Sequence, residues 1–177
     1  MFQKSTYAQN AMRVLAETHS QKELAIDSYV TAALISNQAK GKRTVSLEQA
    51  EQLIDKYNEP RSTYLFAHEF SNGMIPPLLD GLDGHHMTLT ACFEAEVTES
   101  IKALKQGLEA MSFAFKKGDM NQREVAKNAI AEITDVIAAG LTLNTSIAKT
   151  FNIDLQQVLN KRDQYYQKSG LVRSCEK

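Results

Sequence analysis

Apolar residues recur at steps of three and four along nearly the whole chain, and no strand-like alternation of useful length interrupts them. Up to about Gly73 the pattern breaks into five short amphipathic stretches. The first predicts a helix over Thr6–Thr18 with Ala8, Ala11, Met12 and Leu15 inward. A second begins at Ser20, a good N-cap, and turns Leu24 and Ala25 inward. The third begins at Thr31, again a capping residue, and runs to about Lys40, where Gly41 stops it. Ser46-Leu-Glu-Gln49 fits a capping box and opens a fourth, with Leu47, Ala50, Leu53, Ile54 and Tyr57 on one face. Pro60 starts the fifth, whose apolar contacts are Tyr64, Leu65 and Phe70.

The stretch that follows, residues 73–87, holds two of the three prolines and three of the eight glycines, and reads as a linker. Residues 88–170 then carry almost no helix breakers. One long helix is expected over Thr88–Lys117, with Phe93, Val97, Ile101, Leu104, Leu108, Met111 and Phe115 spaced almost as in a coiled-coil seam. A second, about Asn121–Phe151, is apolar over more than one face and so needs cover on more than one side. A third, about Asp154–Lys168, offers Leu155, Val158, Leu159 and Tyr165. The expected class is all-α: a five-helix domain over 1–72, a linker, and a bundle of long helices.

Composition narrows the class without choosing a function. The chain has 177 residues, 43% hydrophobic and 23% charged, with a net charge of −1. Its first residues carry no apolar run and no stretch approaches a membrane span, which predicts a cytoplasmic protein without membrane contact. Cys92 and Cys175 have no metal-ligand spacing around them and read as reduced bystanders. The balanced charge does not advertise nucleic acid, so any claim on DNA rests on local features.

Such features lie in Gln21–Arg43, which reads QKELAIDSYVTAALISNQAKGKR. This segment resembles the Cro-like and XRE-type repressors of phages and prophages, whose pattern is Q-x-x-L-A, a turn, a Ser/Thr cap, a short helix, an acidic residue and G-K-R. Gln21, Leu24, Ala25, Val30, Thr31, Ile35, Ser36 and Gly41-Lys42-Arg43 match it without a gap. The resemblance covers 50 to 70 residues and implies a helix-turn-helix domain over 1–72. Two positions depart from it: Tyr29 stands where the family usually has glycine, and Ser28 where it has a large aliphatic residue.

The residue types suit the same task. A helix that enters the major groove needs small or polar side chains on its leading face, and Thr31, Ala32, Ala33, Ser36 and Asn37 supply them. Asn37 can pair two hydrogen bonds with adenine, and the alanines can touch a thymine methyl. Gln21 stands at a helix N-terminus suited to phosphate, and Lys40, Lys42 and Arg43 form the basic cluster of this half. Eight basic and eight acidic residues over 1–72 leave the domain neutral, which predicts weak non-specific binding. A helical interaction domain with no DNA role, an adaptor or antirepressor, is the alternative.

The second half is expected to join two subunits through residues 88–168, since paired recognition helices read two half-sites. It also holds Glu96-Val-Thr-Glu99 and Glu132-Ile-Thr-Asp135, two i, i+3 carboxylate pairs that antiparallel packing would bring together around Mg²⁺. Over about 75 residues this is similar to MazG-like nucleotide pyrophosphohydrolases, and so is the tail NIDLQQVLNKRDQYYQ. The resemblance implies Glu96, Glu99, Glu132 and Asp135 as metal ligands. The tryptophan and lysine-rich segments of the active enzymes are not recognisable upstream. His85-His86 reads as exposed loop, and Tyr165-Tyr166 as packing. The expectation is therefore a non-enzymatic, cofactor-free dimeric transcriptional regulator. Its expected partners are an operator in double-stranded DNA and a regulatory protein, with the carboxylate site as the alternative.

Overall fold

Four helices open on a Ser, Thr or Asp side chain that accepts the amide three residues ahead, and a fifth on the longer Glu59, whose carboxylate accepts Ser62 N (2.5 Å); each satisfies one of the donors every helix start leaves over. Ser20 accepts from Glu23 N (3.2 Å), Thr31 from Leu34 N (3.2 Å), Ser46 from Gln49 N (3.2 Å) and Asp154 from Gln157 N (3.1 Å). The computed structural model describes residues 6–112 and 120–172. These form eight helices: α1 (Thr6–Thr18), α2 (Gln21–Asp27), α3 (Ala32–Ala39), α4 (Leu47–Tyr57), α5 (Pro60–Phe70), α6 (His86–Ser112), α7 (Met120–Thr150) and α8 (Leu155–Lys168). The all-α class holds for the described residues. The expected extension of α6 to Lys117, the side chains of Leu108 and Met111, Phe115 and Cys175 lie outside what is described.

The chain divides into two compact units, residues 1–66 with 147–177, and residues 67–146. In the first, α1 and α2 pack on α3, and α2 also meets α4. Met12 and Leu15 of α1, Leu24 of α2, Ile35 of α3, Leu53 of α4, and Leu65 and Phe66 of α5 are almost fully buried. Each contributes about 1.5–3 kcal/mol of apolar burial. Two expectations of the apolar pattern change. Leu47 is exposed, because it is the first residue of α4 and Gln49 takes the inward place. In α5 the buried residues are Ser62, Leu65 and Phe66, while Phe70 points outward. Gln49 also completes only half of the expected capping box, its side chain being engaged elsewhere.

The tail helix α8, placed by its sequence with the long helices, groups with the first unit, where Asn58 Nδ2 donates to Asp154 Oδ1 (3.2 Å). Only Leu155 of its apolar residues is buried. Tyr165 and Tyr166 do pack, but edge to face on each other beneath Arg162, and stay exposed.

In the second unit α6 and α7 run antiparallel. Gly140 sits against the Phe93 ring, and Gly107 sits against Ala129. The proline-rich segment covers a further strip of α7: Leu78 is buried, Leu79 N donates to Thr142 Oγ1 (2.9 Å), and Ser146 donates to the Gly84 carbonyl (3.2 Å). Among the described residues no helix is long and apolar enough to cross a membrane.

Candidate nucleic-acid interface

The turn between α2 and α3 is made by residues that depart from the pattern the segment resembles. Ser28 is buried, and its hydroxyl donates to the Leu24 carbonyl. Tyr29 itself takes a left-handed conformation (φ 55°), the backbone that glycine would adopt at lowest cost. Tyr29 N then donates to Ile26 O (3.2 Å) and Val30 N to Ala25 O (2.9 Å), the paired closure of a Schellman motif. The turn is thus kept without glycine. Tyr29 lies 87% exposed, so its ring is no part of the core among the described residues.

Thr31 caps α3 and turns its hydroxyl oxygen to the Leu34 amide. Beyond it Ala32 and Ala33 stand exposed at the front of the helix. Ser36 and Asn37 are half-buried one turn later, while Ile35 and Gln38 face the interior. The leading end of α3 is therefore small, open and bounded by polar groups. A protein backbone can come close to another surface there.

At the far end α3 closes on Gly41 (φ 68°), with Gly41 N donating to Gln38 O (2.9 Å) and Lys42 N to Asn37 O (2.8 Å). A Cβ at Gly41 would meet only the movable end of the Gln9 side chain (Cδ at 2.8 Å), so it is the left-handed backbone that calls for glycine. Lys40, Lys42 and Arg43 are exposed on this loop. Arg13 of α1, which the sequence did not single out, joins them: its Nε donates to the Ala39 carbonyl (3.0 Å). The resembled pattern has an acidic residue just before G-K-R, whereas here Ala39-Lys40 stands there and Arg13 takes a backbone carbonyl instead. No local pattern points to this contact, since Ala39 lies 26 residues along the chain from Arg13.

Gln21 is exposed at the first position of α2. Next to it Ser20 and Glu23 form the complete capping box, and Glu23 Oε2 accepts Ser20 N at 2.8 Å. The Ser20 amide and hydroxyl hold the Glu23 carboxyl below its usual range, so an anion already sits at this helix start. Behind α2, Asp27 accepts from the Tyr57 hydroxyl (2.5 Å) and lies 3.6 Å from Lys56 Nζ. Burial and that bond to Asp27 push the Tyr57 phenol well above its ordinary value.

The second unit holds the carboxylates. The antiparallel register brings Glu96, Glu99 and Glu132 together, with carboxylate oxygens all within 4.8 Å of one another. Asp135 stands outside that trio. Burial, followed by the charges of Asp135, Glu99 and Glu132, raises the Glu96 carboxyl above its usual range. Oxygen ligands of this kind suit a hard divalent cation. His85 and His86 stack on each other (4.5 Å between ring centres) apart from that trio. Comparison with protein-family models, with curated proteins and with solved structures returns no match, so the functional reading rests on these residues alone.

Proposed function

We propose that this protein is a sequence-specific regulator that binds an operator in double-stranded DNA, with α2, the Ser28–Val30 turn and α3 as its helix-turn-helix. The observation that carries the reading is the open leading end of α3, where Ala32 and Ala33 stand exposed ahead of Ser36 and Asn37. It leads into the groove while Arg13, Lys40, Lys42 and Arg43 reach neighbouring phosphates. Asn37 is the residue assigned to read a base, and the alanines admit a thymine methyl. Gln21 holds a phosphate through its side chain more than through the start of α2, where Glu23 already occupies the dipole. Repression follows where the operator overlaps a promoter, as in the phage regulators the segment resembles.

Selection of bound fragments from a genomic library tests the reading. Asn37→Ala then relaxes preference at one base, and Lys42→Ala weakens all fragments alike and reduces the salt slope by about one. A gel shift that is absent, or insensitive to salt, rejects it in favour of a protein adaptor.

A second reading is favoured by the convergence of Glu96, Glu99 and Glu132. In it the α6–α7 pair holds Mg²⁺ and serves nucleotide pyrophosphate chemistry. Magnesium-dependent release of pyrophosphate from nucleoside triphosphates, abolished by Glu132→Gln, would establish it; no release from the intact chain removes it.

A further inference from the structure

The α6–α7 pair has two long sides, and the carboxylates occupy only one. At 3.6 residues per turn, Val97, Ile101 and Leu104 of α6 and Ile130, Ile133 and Ile137 of α7 fall together on the opposite side. The last five are exposed, Ile130 to 65% and Ile101 to 49%. The strip of α7 that the proline-rich segment covers is a different one, around Ala138 and Thr142. The open side thus carries five exposed apolar side chains in one strip, the kind of patch that marks an interaction site when polar residues rim it. A standard interface buries about 800 Å² per partner, a little over half of it apolar. An apolar centre with charged residues at its ends has the anatomy of one side of such an interface.

Charge at the two ends of this side indicates the partner. Glu94 flanks it where α6 begins, and Lys105 and Arg123 flank it at the other end, all three exposed. A second copy laid on it end for end places Glu94 opposite Lys105 and Arg123, twice, by symmetry. The same-end arrangement stacks like charges on each other and is disfavoured.

We propose that this side of α6–α7 is a homodimer interface, closed by the same side of a second copy running end for end into a four-helix bundle, with Ile133 near the twofold axis. The face belongs wholly to the second unit, so the inference goes beyond DNA binding and does not rest on it.

Sedimentation equilibrium of the full chain is the test, with circular dichroism as the check on folding. The wild type sediments at twice the chain mass. Ile133→Glu becomes monomeric with its helix content retained, because that side chain is already in contact with solvent. Glu94→Lys weakens dimerisation about tenfold, and adding Lys105→Glu restores it. A wild type that stays monomeric up to the highest concentration overturns the proposal and leaves the face to a different macromolecule. A dimer that Ile133→Glu leaves intact also overturns it, and a charge reversal without effect removes the end-for-end arrangement.

Discussion

The side-chain amides of Gln38 and Gln49 face each other inside the first unit and exchange two hydrogen bonds, of 2.7 and 3.0 Å. Gln38 Nε2 also donates to the Thr44 carbonyl (2.9 Å), so one buried amide fastens α3 both to α4 and to the basic loop. Apolar packing tolerates small slides between helices, whereas paired amides fix one register. The attitude of α3 depends on this lock.

Removing one partner leaves the other buried without its bonds. Gln38→Leu is therefore expected to cost about 2 kcal/mol of stability, and Gln49→Leu a similar amount. The double substitution should cost less than the sum, since both orphaned amides are then gone. Urea denaturation of the four proteins checks this; additive losses would mean that the two amides do not act as a pair.

Tyr29 offers a gain instead. A non-glycine residue in the left-handed region is strained by roughly 1 kcal/mol, and this ring, almost fully in solvent, returns nothing in packing. Tyr29→Gly is expected to raise stability by about that amount, less what the more flexible unfolded chain recovers. A lower melting temperature for Tyr29→Gly would show that the ring has a contact in the folded protein.

Much of the first unit could be read from the chain because capping is local. Ser20, Thr31, Ser46 and Asp154 each start a helix where the sequence puts one, since a short side chain and the amide three residues ahead meet whatever else the protein does. What could not be read depends on partners distant in sequence. Gln49 looked like half of a capping box until Gln38, eleven residues away, claimed its amide. The contact of Arg13 has no local signature, because α3 brings the Ala39 carbonyl to it from 26 residues away. Glu96, Glu99 and Glu132 lie together as their spacing suggested, because i, i+3 pairs on antiparallel helices meet if the register is right. Register, which spacing leaves open, sets how the fourth carboxylate stands: Asp135 is not among the three whose oxygens lie within 4.8 Å, yet its charge acts on Glu96.

Arg13 should behave as a phosphate contact and not as a reader of bases. Arg13→Gln keeps a donor for the Ala39 carbonyl but removes the charge, so it should lower affinity for every fragment to a similar degree and reduce the salt slope by about one. Filter binding at several salt concentrations measures both. A change confined to one base position would assign Arg13 a different role.

The raised carboxyl of Glu96 fixes the sign of a pH effect. In the folded chain burial and the neighbouring acids favour the protonated form, so between the ordinary glutamate value and the raised one the folded state binds more protons than the unfolded state. Stability from this group is complete below the ordinary value and is lost as pH rises through the raised one. Glu96→Gln removes the charge that Asp135, Glu99 and Glu132 repel, and should make the protein more stable near neutral pH while flattening that part of the pH profile. A divalent cation should act in the same direction on the wild type, raising the melting temperature at neutral pH by neutralising the trio, and should do little to Glu96→Gln. Thermal melts across pH, with Mg²⁺ and with chelator, separate the cases. A Glu96→Gln protein less stable than the wild type at neutral pH would mean that the carboxylate makes a favourable contact that outweighs its repulsion.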